Sequence, residues 1–135
     1  MAEAHSEVRR KDLLYPEESY AIKGACIAVH DALGCGFLEK VYENALAHEL
    51  AKRGFTVKRQ AALKVEYDGI TVGEYFADIL VNDRFIIEVK AAETTNPVFK
   101  SQLINYLKAA HLPLGFLVNF GKEFFDFERM VLTKK

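Results

Sequence analysis

The sequence predicts an α/β fold, and three observations carry that expectation. Two N-terminal segments repeat apolar residues at helical spacing, a middle stretch alternates as strands do about a sharp turn, and a later run is apolar on both faces. In chain order, residues 1–15 are polar and charged, which predicts a mobile arm. Pro16 with Glu17 and Glu18 opens the first helix, because proline suits the first turn and acids complement its dipole. Ile22, Cys26, Val29 and Leu33 form its stripe, and Gly34 stops it. A second helix is expected from Phe37 to Arg53, with Leu38, Val41, Ala45, Leu46 and Leu50 facing inward and Gly54 ending it.

Phe55 to Gln60 and then Leu63 to Tyr67 alternate as strands, and Asp68-Gly69 is a strong hairpin signal. The returning strand runs from Ile70 to about Val81, with a bend expected at Gly73. After the polar turn Asn82-Asp83-Arg84, Phe85 to Lys90 reads as a central strand, apolar on both sides before it reaches its charges. Thr95 or Asn96 can cap a third helix starting at Pro97, with Phe99, Leu103, Tyr106 and Leu107 as its stripe. Leu114 to Phe120 and Phe124 to Leu132 are the last strands, so the order is α, α, several β, α, β, β.

A chain of 135 residues supports one domain, expected over 16–135. No apolar run approaches the roughly 18–20 residues of a membrane span, and the start lacks the apolar centre of a signal peptide. The expectation is a cytoplasmic protein with no membrane partner. Cys26 and Cys35 lack metal or redox spacing and read as free thiols. The net charge of −1 argues against tight nonspecific binding of nucleic acid. Lys52, Arg53, Lys58, Arg59 and Lys64 do bunch together, which reads first as a solvated surface.

The chemistry concentrates in the hairpin that carries Asp78 and Glu88-Val89-Lys90. Charges are costly in a buried strand unless something binds them. If the turn is the three residues 82–84, Val81 faces Phe85 and Asp78 faces Glu88. Directly opposed side chains sit about 4.5–5.5 Å apart at Cβ. Lys90 then shares their face, whereas a two-residue turn would break the cluster. Two carboxylates about 4 Å apart repel by roughly 4 kcal/mol at an effective dielectric near 20. A hard divalent cation, Mg2+ or Mn2+, removes that conflict and can activate a water against a phosphodiester. The plain alternative is a salt bridge from Lys90 to one of the acids.

Two further clusters lie on helices. Glu39 and Tyr42 are three apart, as are positions on one helix face, and Gln102 and Tyr106 are four apart. Gly36-x-x-Glu39-x-x-Tyr42 resembles the signature of the GxxExxY proteins, a group within the PD-(D/E)XK nuclease-like superfamily. The similarity runs from about Ile22 to Leu132 through His30, Asp78, Glu88-Val-Lys90, Gln102-Leu-x-x-Tyr106-Leu and Asn119-Phe-Gly121. The resemblance implies a restriction-endonuclease-like αβββαβ core, a mixed central sheet flanked by helices. It implies Asp78 and Glu88 as metal ligands, Glu39 as a supporting helix acid at the metal, and Lys90 as the catalytic lysine. Gln102 and Tyr106 match an element that positions the site or the strand.

The expected activity is hydrolysis of phosphodiester bonds in DNA, with RNA as the lesser candidate. Two other readings stay open. One is a catalytically inactive module of the same fold that binds nucleic acid or protein. The other is a homo-oligomer or larger assembly joined through Phe124, Phe125 and Phe127, residues that equally suit a core-facing strand. Other features are set aside. His48-Glu49 lacks the second histidine of a zinc helix, since position 52 is lysine, and Gly34-Cys35-Gly36 lacks the Gly-Lys-Ser/Thr of a phosphate loop. His30 reads as a structural histidine, and Asn119-Phe-Gly121 as a turn.

Overall fold

The computed structural model describes residues 15–132, so the expected N-terminal arm lies, apart from Tyr15, outside the described residues. Helix α1 is Pro16–Leu33, with Ile22, Ala25, Cys26 and Val29 buried, and Gly34 closes it at φ 68. Burial pushes the Cys26 thiol far up, so it is an inert core residue, while Cys35 is exposed. Helix α2 is Glu39–Lys52 and buries Tyr42, Glu43, Leu46, Ala47 and Leu50.

That face differs from the expected stripe. Leu38 and Val41 are exposed, and Tyr42 turns inward in their place. Its ring lies flat on Phe120 at 4.9 Å, and its hydroxyl donates to the Gly34 carbonyl at 2.6 Å. A large aromatic with a satisfied hydroxyl outweighs two smaller aliphatics, so the helix is rotated toward it. Glu39, in the first turn of the helix, is exposed, one turn before the buried Glu43.

Strands β1 (Val57–Tyr67), β2 (Ile70–Val81) and β3 (Phe85–Lys90) form an antiparallel meander. Strand β1 is continuous where two segments were expected. Helix α3 (Val98–Ala110) then crosses over to β4 (Leu114–Asn119), which pairs with β3 in parallel, and β5 (Asp126–Val131) closes the sheet antiparallel to β4. The five strands lie in sequence order in one mixed sheet. The expected α/β architecture is the observed one. Among the described residues, no helix is long and apolar enough to cross a membrane.

Each sheet face has its own core. Ile79, Val81, Phe85, Ile87, Val89, Phe116 and Val118 pack with α1 and α2. Leu63, Ala77, Ile86 and Leu117 pack with Leu103, Tyr106 and Leu107 of α3. Phe125 and Phe127 join the first core, as a core-facing strand requires, while Phe124 is exposed. One detail breaks the alternation of a strand. Ala77 and Ile79 are two apart yet belong to opposite cores, and Val57 and Leu63 do the same on β1. Both strands change face at one place, between the pairs Arg59↔Ile79 and Ala61↔Ala77, where Gln60 and Asp78 drop out of the ladder. Gln60 adopts a left-handed φ of 49 there.

Candidate active site

The β2–β3 turn sets the site. Asn82 and Asp83 take positive φ values of 53 and 54, and the Arg84 amide donates to the Val81 carbonyl at 2.9 Å. The Asn82 carboxamide oxygen and amide are tied to the backbone of Thr56, which fixes the turn on the neighbouring strand. The register is Val81↔Phe85, Leu80↔Ile86 and Ile79↔Ile87, that of a three-residue turn. Asp78 comes next, opposite Glu88, and there the side chains take over from the ladder. The Asp78 amide donates to Glu88 Oε2 at 3.0 Å, and the Val89 amide donates to Asp78 Oδ2 at 2.8 Å.

These two carboxyls sit in a place hostile to charge. Glu88 is 3% exposed, and burial, followed by repulsion from Asp78, pushes its carboxyl up to about 8. The Asp78 amide and the Lys90 charge oppose that rise. Burial also raises Asp78, with Glu43 adding repulsion, while the Val89 amide, Lys90 and the Gln60 side chain pull it down. Both carboxyls are thereby shifted toward the protonated form.

The remaining expected residues surround this pair from two helices. Lys90 Nζ donates to Gln102 Oε1 at 3.1 Å and lies 4.7 Å from the centre of the Phe99 ring. Among the described residues Lys90 makes no ion pair, so the salt-bridge alternative does not describe it. Burial raises the Glu39 carboxyl, while Lys90 lowers it and Asp78 and Glu43 raise it, so α2 brings this acid within the field of the site. Tyr106 is raised by burial and then by Glu88 and Asp78, and its ring packs 5.3 Å from Tyr75. Asp78, Glu88, Lys90, Gln102, Tyr106 and Glu39 thus gather around the place where the β2–β3 pairing stops.

Sequence reasoning missed three neighbours. Glu43 is 3% exposed and accepts from Arg59 Nη2 at 2.9 Å, from Lys40 Nζ at 3.3 Å and from Gln60 Nε2 at 3.2 Å. Its spacing of four from Glu39 was the available signal. Gln60 and Tyr75 had none, because their roles depend on the left-handed break and on the strand's change of face.

Asn119-Phe-Gly121 proves to be more than a turn. Asn119 Oδ1 accepts from the Ala92 and Gly121 amides, both at 3.0 Å, and its Nδ2 donates to Thr95 Oγ1. The Phe120 amide donates to the Lys90 carbonyl at 2.8 Å. A Cβ on Gly121 would meet the Ala92 amide nitrogen at 2.4 Å. This clamp fixes the chain immediately after Lys90. His30 Nε2 donates to the Lys122 carbonyl at 2.8 Å and the ring packs near Phe120 and Phe125, the structural role expected of it.

A family model for the PD-(D/E)XK nuclease superfamily matches residues 16–130, which spans every element described above. The chain belongs to the PD-(D/E)XK nuclease superfamily. No curated protein and no solved structure matches it. Three helices about a five-stranded mixed sheet are consistent with the restriction-endonuclease-like core of that superfamily.

Members of the PD-(D/E)XK superfamily typically use a divalent metal, and the residues present fit one. Two desolvated carboxyls, each with one oxygen engaged by a backbone amide, form an all-oxygen donor pair. Among the described residues, no group of three or more His, Cys, Asp or Glu converges to cage an ion. A pair of carboxylates with the other positions left to water and phosphate is the manner in which magnesium binds.

Proposed function

We propose that this PD-(D/E)XK protein is a magnesium- or manganese-dependent nuclease that hydrolyses phosphodiester bonds in DNA, and that it falls with the GxxExxY proteins. The observation that carries the proposal is the Asp78–Glu88 pair, two opposed acids beside Lys90, with Glu88 held by the Asp78 amide and Asp78 by the Val89 amide. Asp78 and Glu88 would hold the cation, with Glu39 supporting from α2. When bound, it supplies a water of lowered pKa and charge to stabilise the phosphoryl oxygens.

The chain's own part is positioning and charge. The Lys90 ammonium, engaged by Gln102 and Phe99 and acting by its charge on both acids, would donate to the attacking water or to a phosphoryl oxygen. In hydrolysis the water oxygen bonds to phosphorus, the bond to the leaving oxygen breaks, and that oxygen takes a proton. Tyr106, beside the acids on α3, is placed to orient the strand.

The test is a panel of labelled single- and double-stranded DNA and RNA incubated with magnesium or manganese. The parent should cleave, and folded Glu88→Ala and Lys90→Ala variants should lose at least about 100-fold. Full activity in a folded Lys90→Ala protein would count decisively against the mechanism. Binding without cleavage by the parent would instead identify an inactive module of the same fold. Titration with manganese should show a site that Asp78→Asn removes.

A further inference from the structure

Gln60 stands in the middle of an eleven-residue strand with a left-handed backbone. A side chain in that conformation costs roughly 1–2 kcal/mol, which glycine would avoid. If the break served only to turn the hairpin over, glycine would do it better. Something must therefore use the side chain.

The side chain has two carboxyls to serve. Gln60 occupies the register position facing Asp78, between the pairs Arg59↔Ile79 and Ala61↔Ala77. Although Gln60 is exposed overall, its amide reaches Glu43 Oε1 at 3.2 Å and Oε2 at 3.3 Å. Glu43 is itself immobile, because it is buried on α2 and bonded to Arg59 and Lys40. From its register position facing Asp78, the same side chain also pulls the Asp78 carboxyl down. A carboxamide carries two N–H donors, enough for one acid on each side.

We infer that Gln60 is a positioning residue: its strained backbone turns the amide between Glu43 and Asp78, so that helix α2 fixes the orientation of the Asp78 carboxyl. This rests on reading Asp78 as a site acid. Asp78 sits inside β2 where the ladder is interrupted, and its other support is the Val89 amide. With the brace in place the carboxyl meets a cation already oriented. Supports of this kind typically change metal affinity by about 10–100-fold.

The test uses Gln60→Gly and Gln60→Asn in the full chain. Glycine favours the left-handed backbone and asparagine tolerates it, so the fold survives both, while neither amide spans the gap. The first readout is amide hydrogen exchange at Val89 in metal-free protein, with Leu107 in α3 as control. Protection at Val89 should fall at least tenfold in both variants and stay unchanged at Leu107. The second is manganese affinity by calorimetry, expected to weaken about tenfold in both. Retained protection at Val89, a uniform loss across the molecule, or parental manganese affinity in Gln60→Gly each overturns the inference. If Val89 loses protection but the parent itself binds no manganese, the brace stands and the nuclease reading fails.

Discussion

The residue that most defines the site is Glu88, a carboxyl forced into the core at the end of a central strand. Its folded value of about 8 lies above the ordinary 4.5, so between those values the folded protein holds a proton that the unfolded chain has released. Stability is then greatest below about 4.5 and declines as pH rises through about 8, at up to about 1.4 kcal/mol per pH unit for one proton. Asp78 is shifted in the same direction and steepens the trend. Denaturant melts of the metal-free protein at pH 5, 7 and 9 should show this fall, and Glu88→Gln should flatten it. A cation competes with the same proton, so apparent manganese affinity should rise across that window. A pH-independent affinity would mean that the ion binds elsewhere.

At the scale of elements, the site depends on how closely α3 lies on the sheet. A Cβ on Gly115 of β4 would meet Leu103 Cδ1 at 2.9 Å, the Ile86 carbonyl oxygen at 3.1 Å and Leu107 Cδ2 at 3.2 Å. Gly115→Ala crowds Leu103 and Leu107 of α3 against the strand, with an expected loss of about 1–3 kcal/mol. Because Gln102 and Tyr106 ride on that helix, cleavage should fall alongside the melting temperature. An alanine variant with parental stability and activity would show that α3 adapts freely. Much of this architecture was legible in the sequence. Asn82-Asp83-Arg84 fixed the register of Asp78 against Glu88, since one extra turn residue decides which side chains oppose. The face of α2 was misread because Leu38 and Val41 look like core, whereas Tyr42 gains a stacked ring and a hydroxyl partner. Gln60 could not be seen, because left-handed backbone at glutamine follows from what its amide must reach, not from any local propensity.

At the scale of the whole molecule, charge decides how nucleic acid could be held. Four of the five basic residues bunched in the sequence are already partnered: Lys52 and Arg53 share Glu49, Lys58 meets Asp83 at 2.7 Å, and Arg59 grips Glu43. Exposed pairs are worth at most about 1 kcal/mol and can be exchanged for phosphate, but each exchange leaves an acid beside the backbone. Releasing Arg59 would leave the buried Glu43 carboxyl with only Lys40 and Gln60 as partners, which is more costly. With a net charge of −1 besides, few cations of this bunch remain to displace counterions from DNA. If about two or three phosphates are neutralised, the slope of log affinity against log salt should be near −2 to −3. Anisotropy titrations of a labelled duplex with the Asp78→Asn protein, between about 50 and 200 mM salt, should therefore lose only about ten- to fifty-fold. A loss of about a thousandfold would require six or more phosphate contacts. That result would mean the ion pairs of this face open on binding, and that the bunched lysines form the strand's track after all.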